Sequence, residues 1–260
     1  MPKEEARSLI EDSARRFSLL LRSVPDPDVI ATGTWTIRDV AAHMVDVFDN
    51  YGHILQGEGS RAWAVNDIAA YNQVEVDKIS LTRPHELADA MDELIESYLE
   101  ILDSIDGNPV VPWVEEIPVP VSGIACLGVG ECLVHGYDVA RAAGLPWTID
   151  PHAAAMCSKG ISPITVHYVE EEAAAGLNAC FDLRLRGEWQ AHFVFADGVL
   201  SIEEPGDRRV DVHISASPVP FMLVGYGRVS QWRPIATGRI TAWGRKPLLA
   251  LRFGSLLRNP

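Results

Sequence analysis

Apolar residues along the first half of the chain recur at helical spacing. Ala6, Leu9, Ile10, Phe17, Leu20, Leu21 and Val24 share one face between Glu4 and Val24, which predicts an amphipathic helix stopped by Pro25-Asp26-Pro27-Asp28. Thr36, followed three residues later by Asp39, is a capping-box pattern with Asp in place of the usual Glu. It opens a second predicted helix running to about Gln56, with Val40, Met44, Val47, Phe48, Tyr51 and Leu55 on its apolar side and Gly57 and Gly59 ending it. A third starts near Pro84, a good first-turn residue, and continues through Leu87, Met91, Leu94, Ile95, Tyr98, Leu102 and Ile105 to the turn Asp106-Gly107-Asn108-Pro109. The connection from Glu58 to Arg83 is long, and its Trp63–Ile79 part has a weaker helical pattern. A loop carrying Pro109, Pro112, Pro118 and Pro120 leads through Ser122-Gly123 to a fourth helix from about Ile124 to Ala143, closed by Gly144 and Pro146.

Past Pro151 the period changes from helical to alternating. Phe181, Leu183 and Leu185 interleave with Asp182, Arg184 and Arg186, a strand pattern. Trp189, Ala191, Phe193 and Phe195 form a second run, and Asp197-Gly198 after it is a hairpin signal. Val210–Ser215, Arg239–Trp243 and Leu248–Phe253 are further predicted strands, with a short helix from Pro218 to Gly227 among them. The expected fold class is α+β: a four-helix bundle over residues 1–150, then a smaller α+β domain over residues 151–260, with the boundary near residues 145–160.

Charge follows the same division. The chain of 260 residues carries 22 Lys plus Arg against 36 Asp plus Glu, a net −14. Residues 1–150 hold 10 basic and 26 acidic side chains, and residues 151–260 hold 12 and 10. After Asp211 there is no acid, whereas Arg228, Arg233, Arg239, Arg245, Lys246, Arg252 and Arg258 follow. An acidic balance argues against nucleic acid as the main partner, which needs clustered Lys and Arg, and against an anionic membrane surface. No apolar run reaches the roughly 18 residues of a membrane helix. The opening Met1-Pro2-Lys3-Glu4-Glu5 has no apolar h-region, so no secretory signal is expected. Cys126, Cys132, Cys157 and Cys180 form no C-x-x-C pair or disulfide framework, and each reads as a small buried hydrophobe in a reducing, cytoplasmic setting.

The chemistry concentrates on the fourth helix. Glu131 and His135 stand at i and i+4 and share a face. A carboxylate oxygen and an imidazole nitrogen so placed can bind one divalent metal, and the second helix offers His43 as a third donor among Val40, Met44 and Val47. Three protein ligands leave a position open, the pattern of a catalytic site. Asp138, one turn beyond His135, could orient a ligand. By spacing alone the commoner readings are a solvated Glu–His pair and a hydrogen-bonded core histidine. Asp39 and His43 are also at i and i+4, although Asp39 fits better as a first-turn acid. Gly128-Val129-Gly130 lacks the third glycine and preceding strand of a dinucleotide loop. His53, His85, His152, His167, His192 and His213 are scattered and show no ligand spacing.

Two stretches of the bundle, TWTIRDVAAHMVDVF and ECLVHGYDVARAAGLPW, resemble the mycothiol-dependent maleylpyruvate isomerase family, whose N-terminal part is a DinB-like four-helix bundle. The tail GYGRVSQWRPIATGRITAWGRKPLLALRF resembles the sterol-carrier-like α+β domain that follows it. The W-[ST]-x-x-[DE]-[VL]-x-x-H and E-x-x-x-H-x-x-D signatures are more specific for that fold than for one reaction. The resemblance implies that His43, Glu131 and His135 bind a divalent metal, usually zinc, and that mycothiol, the small thiol of actinobacteria, is the cosubstrate. It also implies a second-domain arginine near the active centre, for which Arg239 and then Arg228 are the candidates. An exposed structural arginine is an equal reading for both.

The implied enzyme directs a metal-bound thiolate at a small electrophile. Addition, rotation and elimination on maleylpyruvate make it an isomerase; retention of the thioether makes it an S-transferase. Two alternatives stay open. A small-molecule or lipid carrier could use Phe181, Leu183, Phe193, Phe195 and Pro218–Leu223 as an apolar lining, although a plain sheet–helix core explains them as well. A biosynthetic enzyme of the same fold could use metal-bound water and no thiol. The expected partner is a small anionic substrate, and oligomeric state is not readable.

Overall fold

The computed structural model describes residues 2–62 and 64–258. Trp63, the first residue of the weak helical pattern that ends at Ile79, lies outside them. The chain divides into two compact units, Met1–Ile149 and Asp150–Pro260.

The first unit is built on helices α1 (Lys3–Arg22), α2 (Ile37–Leu55), α3 (Ile68–Lys78), α4 (Pro84–Ser104) and α5 (Val121–Ala143). A two-stranded ribbon, β1 (Ile30–Thr32) with β2 (Trp35–Thr36), precedes α2. A second ribbon, β3 (Val110–Pro112) with β4 (Pro118–Pro120), precedes α5. Helices α1 and α2 each pack against both α4 and α5, which makes a four-helix bundle, and α3 lies against α2 outside it. Phe17, Phe48, Met44, Met91, Tyr98 and Leu102 are buried at its centre, with the Phe48 and Tyr98 rings edge to face at 5.9 Å. Each such side chain contributes about 1.5–3 kcal/mol by leaving water.

Helix α5 is the axis of the unit. Most of its length is buried, which explains its scarcity of charge, and Cys126 and Cys132 are fully buried in it. It begins at Val121, three residues earlier than the Ser122-Gly123 pair suggests. The Asn108 side chain makes this possible, accepting from the Ser122 N–H at 2.8 Å and donating to its hydroxyl at 3.0 Å. Gly144 ends the helix in the left-handed conformation at φ 67°, where a Cβ would be strained.

The second unit opens on α6 (Pro151–Gly160), capped by Asp150, whose carboxylate accepts from the Ala153 N–H at 2.9 Å. The short helices α7 (Ser162–Thr165) and α8 (Glu171–Ala174) follow. Then come β5 (Ala179–Leu185), β6 (Trp189–Ala196), β7 (Val199–Glu203) and β8 (Val212–Ala216). Helices α9 (Pro218–Gly225) and α10 (Trp232–Ala236), strand β9 (Ile240–Gly244) and α11 (Ala250–Phe253) complete it. The sheet order is β7-β6-β5-β8-β9, with only β5 and β8 parallel. Phe181, Leu183, Phe193 and Phe195 are buried on one face; Phe253 closes on Phe181 at 5.2 Å and on Phe193 at 5.4 Å. These rings fill one another's space as a core does.

Leu248–Phe253 is not a strand. Pro247 lacks the N–H that a ladder needs, and the N–H groups of Arg245 and Lys246 both turn to the Asp211 carbonyl. The chain therefore leaves β9, passes through a 3-10 turn at Pro247–Leu249 and coils into α11. On the other face of the sheet the buried Asp182 gathers His213 (2.6 Å), Arg184 (2.7 Å) and Gln190 (2.7 Å), so two strands distant in sequence meet at one carboxylate.

Candidate metal centre

Helix α2 is set in place from its first turn. The Thr36 hydroxyl accepts from the Asp39 N–H at 3.2 Å, and the Asp39 carboxylate accepts from the Thr36 N–H at 2.8 Å. Asp39 is thereby committed to the cap. His43, one turn further on, points inward with 3% of its surface exposed. Helix α5 presents Glu131 and His135 one turn apart. Packing of α2 on α5 brings His43 Nε2 to 3.6 Å from Glu131 Oε2, while His135 Nε2 lies 3.3 Å from the same oxygen. One ligand atom from each of the three residues lies within 4.8 Å of the others.

These separations are a test of fit. Donors about 2.0–2.2 Å from a tetrahedral ion stand about 3.4 Å from one another. The two separations to Glu131 bracket that value, and both exceed the usual hydrogen-bond range of about 2.7–3.2 Å. Two imidazoles and one carboxylate with a position left over are a donor set that divalent metal ions accept. The residues therefore fit a metal ion.

The electrostatics of the cluster stabilise positive charge, whether a proton or a cation. Burial opposes ionisation of Glu131, but its attraction to the His135 and His43 imidazoles outweighs this, and its pKa falls below the usual carboxylate range. Burial likewise opposes charge on His135; the carboxylates of Asp138 and Glu131 overcome it and raise its pKa. Asp138 is fully buried, with Oδ2 3.4 Å from His135 Nδ1. A carboxylate on that side leaves Nε2 facing the other donors. The Trp35 ring covers His43 at 5.0 Å, and its indole N–H donates to Gln73 at 2.8 Å.

His135 is also braced from behind. A Cβ on its neighbour Gly136 would lie 2.1 Å from the Trp147 ring, so only glycine admits that indole. Trp147 donates to the Leu133 carbonyl at 3.1 Å and carries the Arg16 guanidinium 4.8 Å above it.

His43 and Glu131 also form part of the wall of a small, solvent-connected cleft. Asp46, Asn50, Ser60, Tyr71, Asn72 and Trp113 are among the other residues lining it. Burial, with Glu75 and Asp49 nearby, pushes the Asp46 carboxyl up to about 6, against the pull of Arg61. Sequence reasoning missed this cleft. Asp46 stands one turn beyond His43 on α2, a spacing that was there to read; Tyr71 and Asn72 come from α3 and had no signal.

Arg239 and Arg228 belong to the second unit and are no part of the three-residue cluster. Arg239 is exposed just before β9, and the half-buried Arg228 donates to the Tyr226 carbonyl at 2.8 Å.

Two helices of a bundle that turn two imidazoles and a carboxylate on to one point define a class, the helical bundle with a candidate metal centre at its heart. The chain belongs to the family of the mycothiol maleylpyruvate isomerase N-terminal domain, whose sequence profile matches residues 7–140. Among solved structures it is similar to a mycothiol-dependent maleylpyruvate isomerase, at TM-score 0.56 and 15% identity over 93% of each chain. It is also similar to a histidine-to-alanine mutant of such an isomerase, at TM-score 0.57 and 15% identity over 93% of each chain. At that identity the likeness is one of fold. No individually curated protein matches the chain significantly. No helix among the described residues is long and apolar enough to cross a membrane.

Proposed function

We propose that the chain catalyses a metal-dependent reaction of a small thiol with a small electrophile, in the manner of a mycothiol-dependent maleylpyruvate isomerase. The observation that carries this reading is the spacing of 3.3 Å and 3.6 Å from the two imidazoles to the Glu131 carboxylate, on the wall of a solvent-connected cleft. His43, Glu131 and His135 would hold the ion, and zinc suits that donor set. When bound, a divalent ion here would lower the pKa of a coordinating thiol from about 8.5, so that a thiolate forms at neutral pH.

The protein's own groups have defined tasks in this scheme. Glu131 stays ionised between the two imidazoles. Asp138, with Oδ2 3.4 Å from His135 Nδ1, sets a negative charge behind the ring and would favour the Nδ1–H tautomer, whose Nε2 lone pair is directed at the site. Trp35 shields the His43 edge from water. In the substrate, the thiol sulfur would add to a cis double bond, the resulting single bond would rotate, and elimination would return the thiol with the trans product, without net oxidation or reduction. For carboxylates on the substrate Arg239 is the candidate partner ahead of Arg228, whose guanidinium is already given to Tyr226.

The test is turnover of maleylpyruvate with and without mycothiol, the product identified by mass and ultraviolet spectrum. Fumarylpyruvate formed only with the thiol is expected. A thioether adduct would make the chain a transferase, and equal turnover without thiol would refute the thiol's role.

A further inference from the structure

The outer face of the second unit's sheet carries a cluster that the proposed reaction does not use. Glu203, His192, Asp182, His213 and Trp243 are successive cross-strand neighbours, one from each of β7, β6, β5, β8 and β9. Asp182, in the middle, is 1% exposed, yet water reaches the face around it: Trp243 is 45% exposed and the Arg184 side chain 44%. Withdrawing a carboxylate from water adds little net stability even when it is paired, so the sheet gains little by placing one here.

The carboxylate is spent on positioning. Its Oδ2 accepts from His213 Nδ1 at 2.6 Å and from Arg184 Nε at 2.7 Å, and its Oδ1 accepts from Gln190 at 2.7 Å. Burial opposes its ionisation, but the hydrogen bonds from Arg184, His213 and Gln190 outweigh burial and hold its pKa below the ordinary value. An ionised carboxylate only accepts, so Nδ1 carries the proton and Nε2 of the neutral imidazole keeps a lone pair. Among the described residues that Nε2 makes no hydrogen bond, and it is not shielded from solvent. The Trp243 ring stacks on the imidazole at 5.2 Å and 14°, which fixes its plane, and the Arg184 guanidinium lies 5.9 Å from the indole centre.

We propose that this face binds a planar aromatic ring bearing a phenolic hydroxyl. The hydroxyl donates to His213 Nε2, and the ring lies on the open part of the Trp243 indole. A phenolic O–H is a stronger donor than an alcohol and comes on a flat ring, so one group supplies both contacts. Asp182 and Arg184 offset each other in charge, which suits a neutral ligand. All of these groups belong to the second unit and none to the metal-ligand cluster, so the inference stands apart from the proposed function.

Proton–nitrogen correlation spectra of the imidazole and indole rings in the full chain test it, with the His213 signals assigned by their loss in His213→Gln. Titration with para-hydroxybenzyl alcohol should shift His213 Nε2 and the Trp243 indole N–H. Para-methoxybenzyl alcohol lacks the phenolic proton, and cyclohexanol lacks the aromatic ring. Each should bind about threefold to tenfold more weakly, the equivalent of one hydrogen bond or one ring stack. Trp243→Ala should weaken para-hydroxybenzyl alcohol by a similar factor, and the three-compound comparison on the parent decides the matter should that variant fail to fold. No shift at His213 or Trp243, equal affinity for all three compounds, or shifts confined to the bundle would each overturn the proposal. None of these readouts needs turnover or bound metal.

Discussion

Replacing Gly136 by Ala tests the bracing of the metal centre. The new Cβ would lie 2.1 Å from Trp147 Cζ2 and 2.3 Å from Cε2, where ordinary contact begins at 3.4 Å, so the indole must retreat by roughly 1.3 Å. It is not free to do so. Its N–H is tied to Leu133, Arg16 sits on its face, and Arg16 also donates to the Thr148 carbonyl at 2.5 Å. Overpacking costs about 1–3 kcal/mol, and loss of the indole hydrogen bond adds about 1 kcal/mol. The helix propensity of Ala over Gly returns about 1 kcal/mol. The net loss is about 1–3 kcal/mol, which in a chain of this size lowers Tm by roughly 3–10 °C. Circular-dichroism melts of metal-free protein measure it. Trp147→Phe in the Gly136→Ala background should recover part of the loss by shrinking the ring. A Gly136→Ala protein melting at or above the parent would refute the assignment of Gly136 to this contact.

Asp138→Asn should weaken divalent-metal affinity about 10–100-fold by removing the carboxylate behind His135; competition with a chromogenic chelator reads it, and an unchanged constant would contradict the role. Asp46 makes metal-free stability depend on pH. Its folded pKa of about 6 lies above its unfolded value of about 3.9, so the folded state binds the extra proton. Its contribution is fully present below the unfolded pKa and is lost as pH rises to about 6. Allowing for partial solvent screening, Asp46→Asn should flatten that window by about 1–2 kcal/mol. Denaturant titrations of the parent and the variant at pH 4.5 and pH 7 measure the difference, and parallel profiles would contradict it.

The helices of the bundle were legible because one side of each faces the core and the other faces water, so burial wrote a 3.6-residue period into α1, α2 and α4. The cap of α2 was legible because its chemistry is local. Helix α6 was not, since Pro151 reads as a break and acts as the first helical residue behind the Asp150 cap. Strand β7 was missed because five residues after a turn carry little period. Leu248–Phe253 has strand-like composition, and Pro247 with the Asp211 carbonyl decides otherwise. At the site, Glu131 and His135 announce themselves by i, i+4 spacing. Their meeting with His43 depends on how α2 packs on α5, which no local pattern encodes. The same holds for Tyr71 in the cleft and for His213 on Asp182, 31 residues apart.

The central claim is that His43, Glu131 and His135 form one metal site. Equilibrium dialysis against zinc, with bound metal determined by elemental analysis, tests it on the parent protein and on His43→Ala, Glu131→Gln and His135→Ala. The account predicts one ion per chain in the parent, and loss of that ion in each variant whose melt still shows a folded bundle. Zinc retained at full stoichiometry by folded His43→Ala would contradict it, because α5 alone would then suffice.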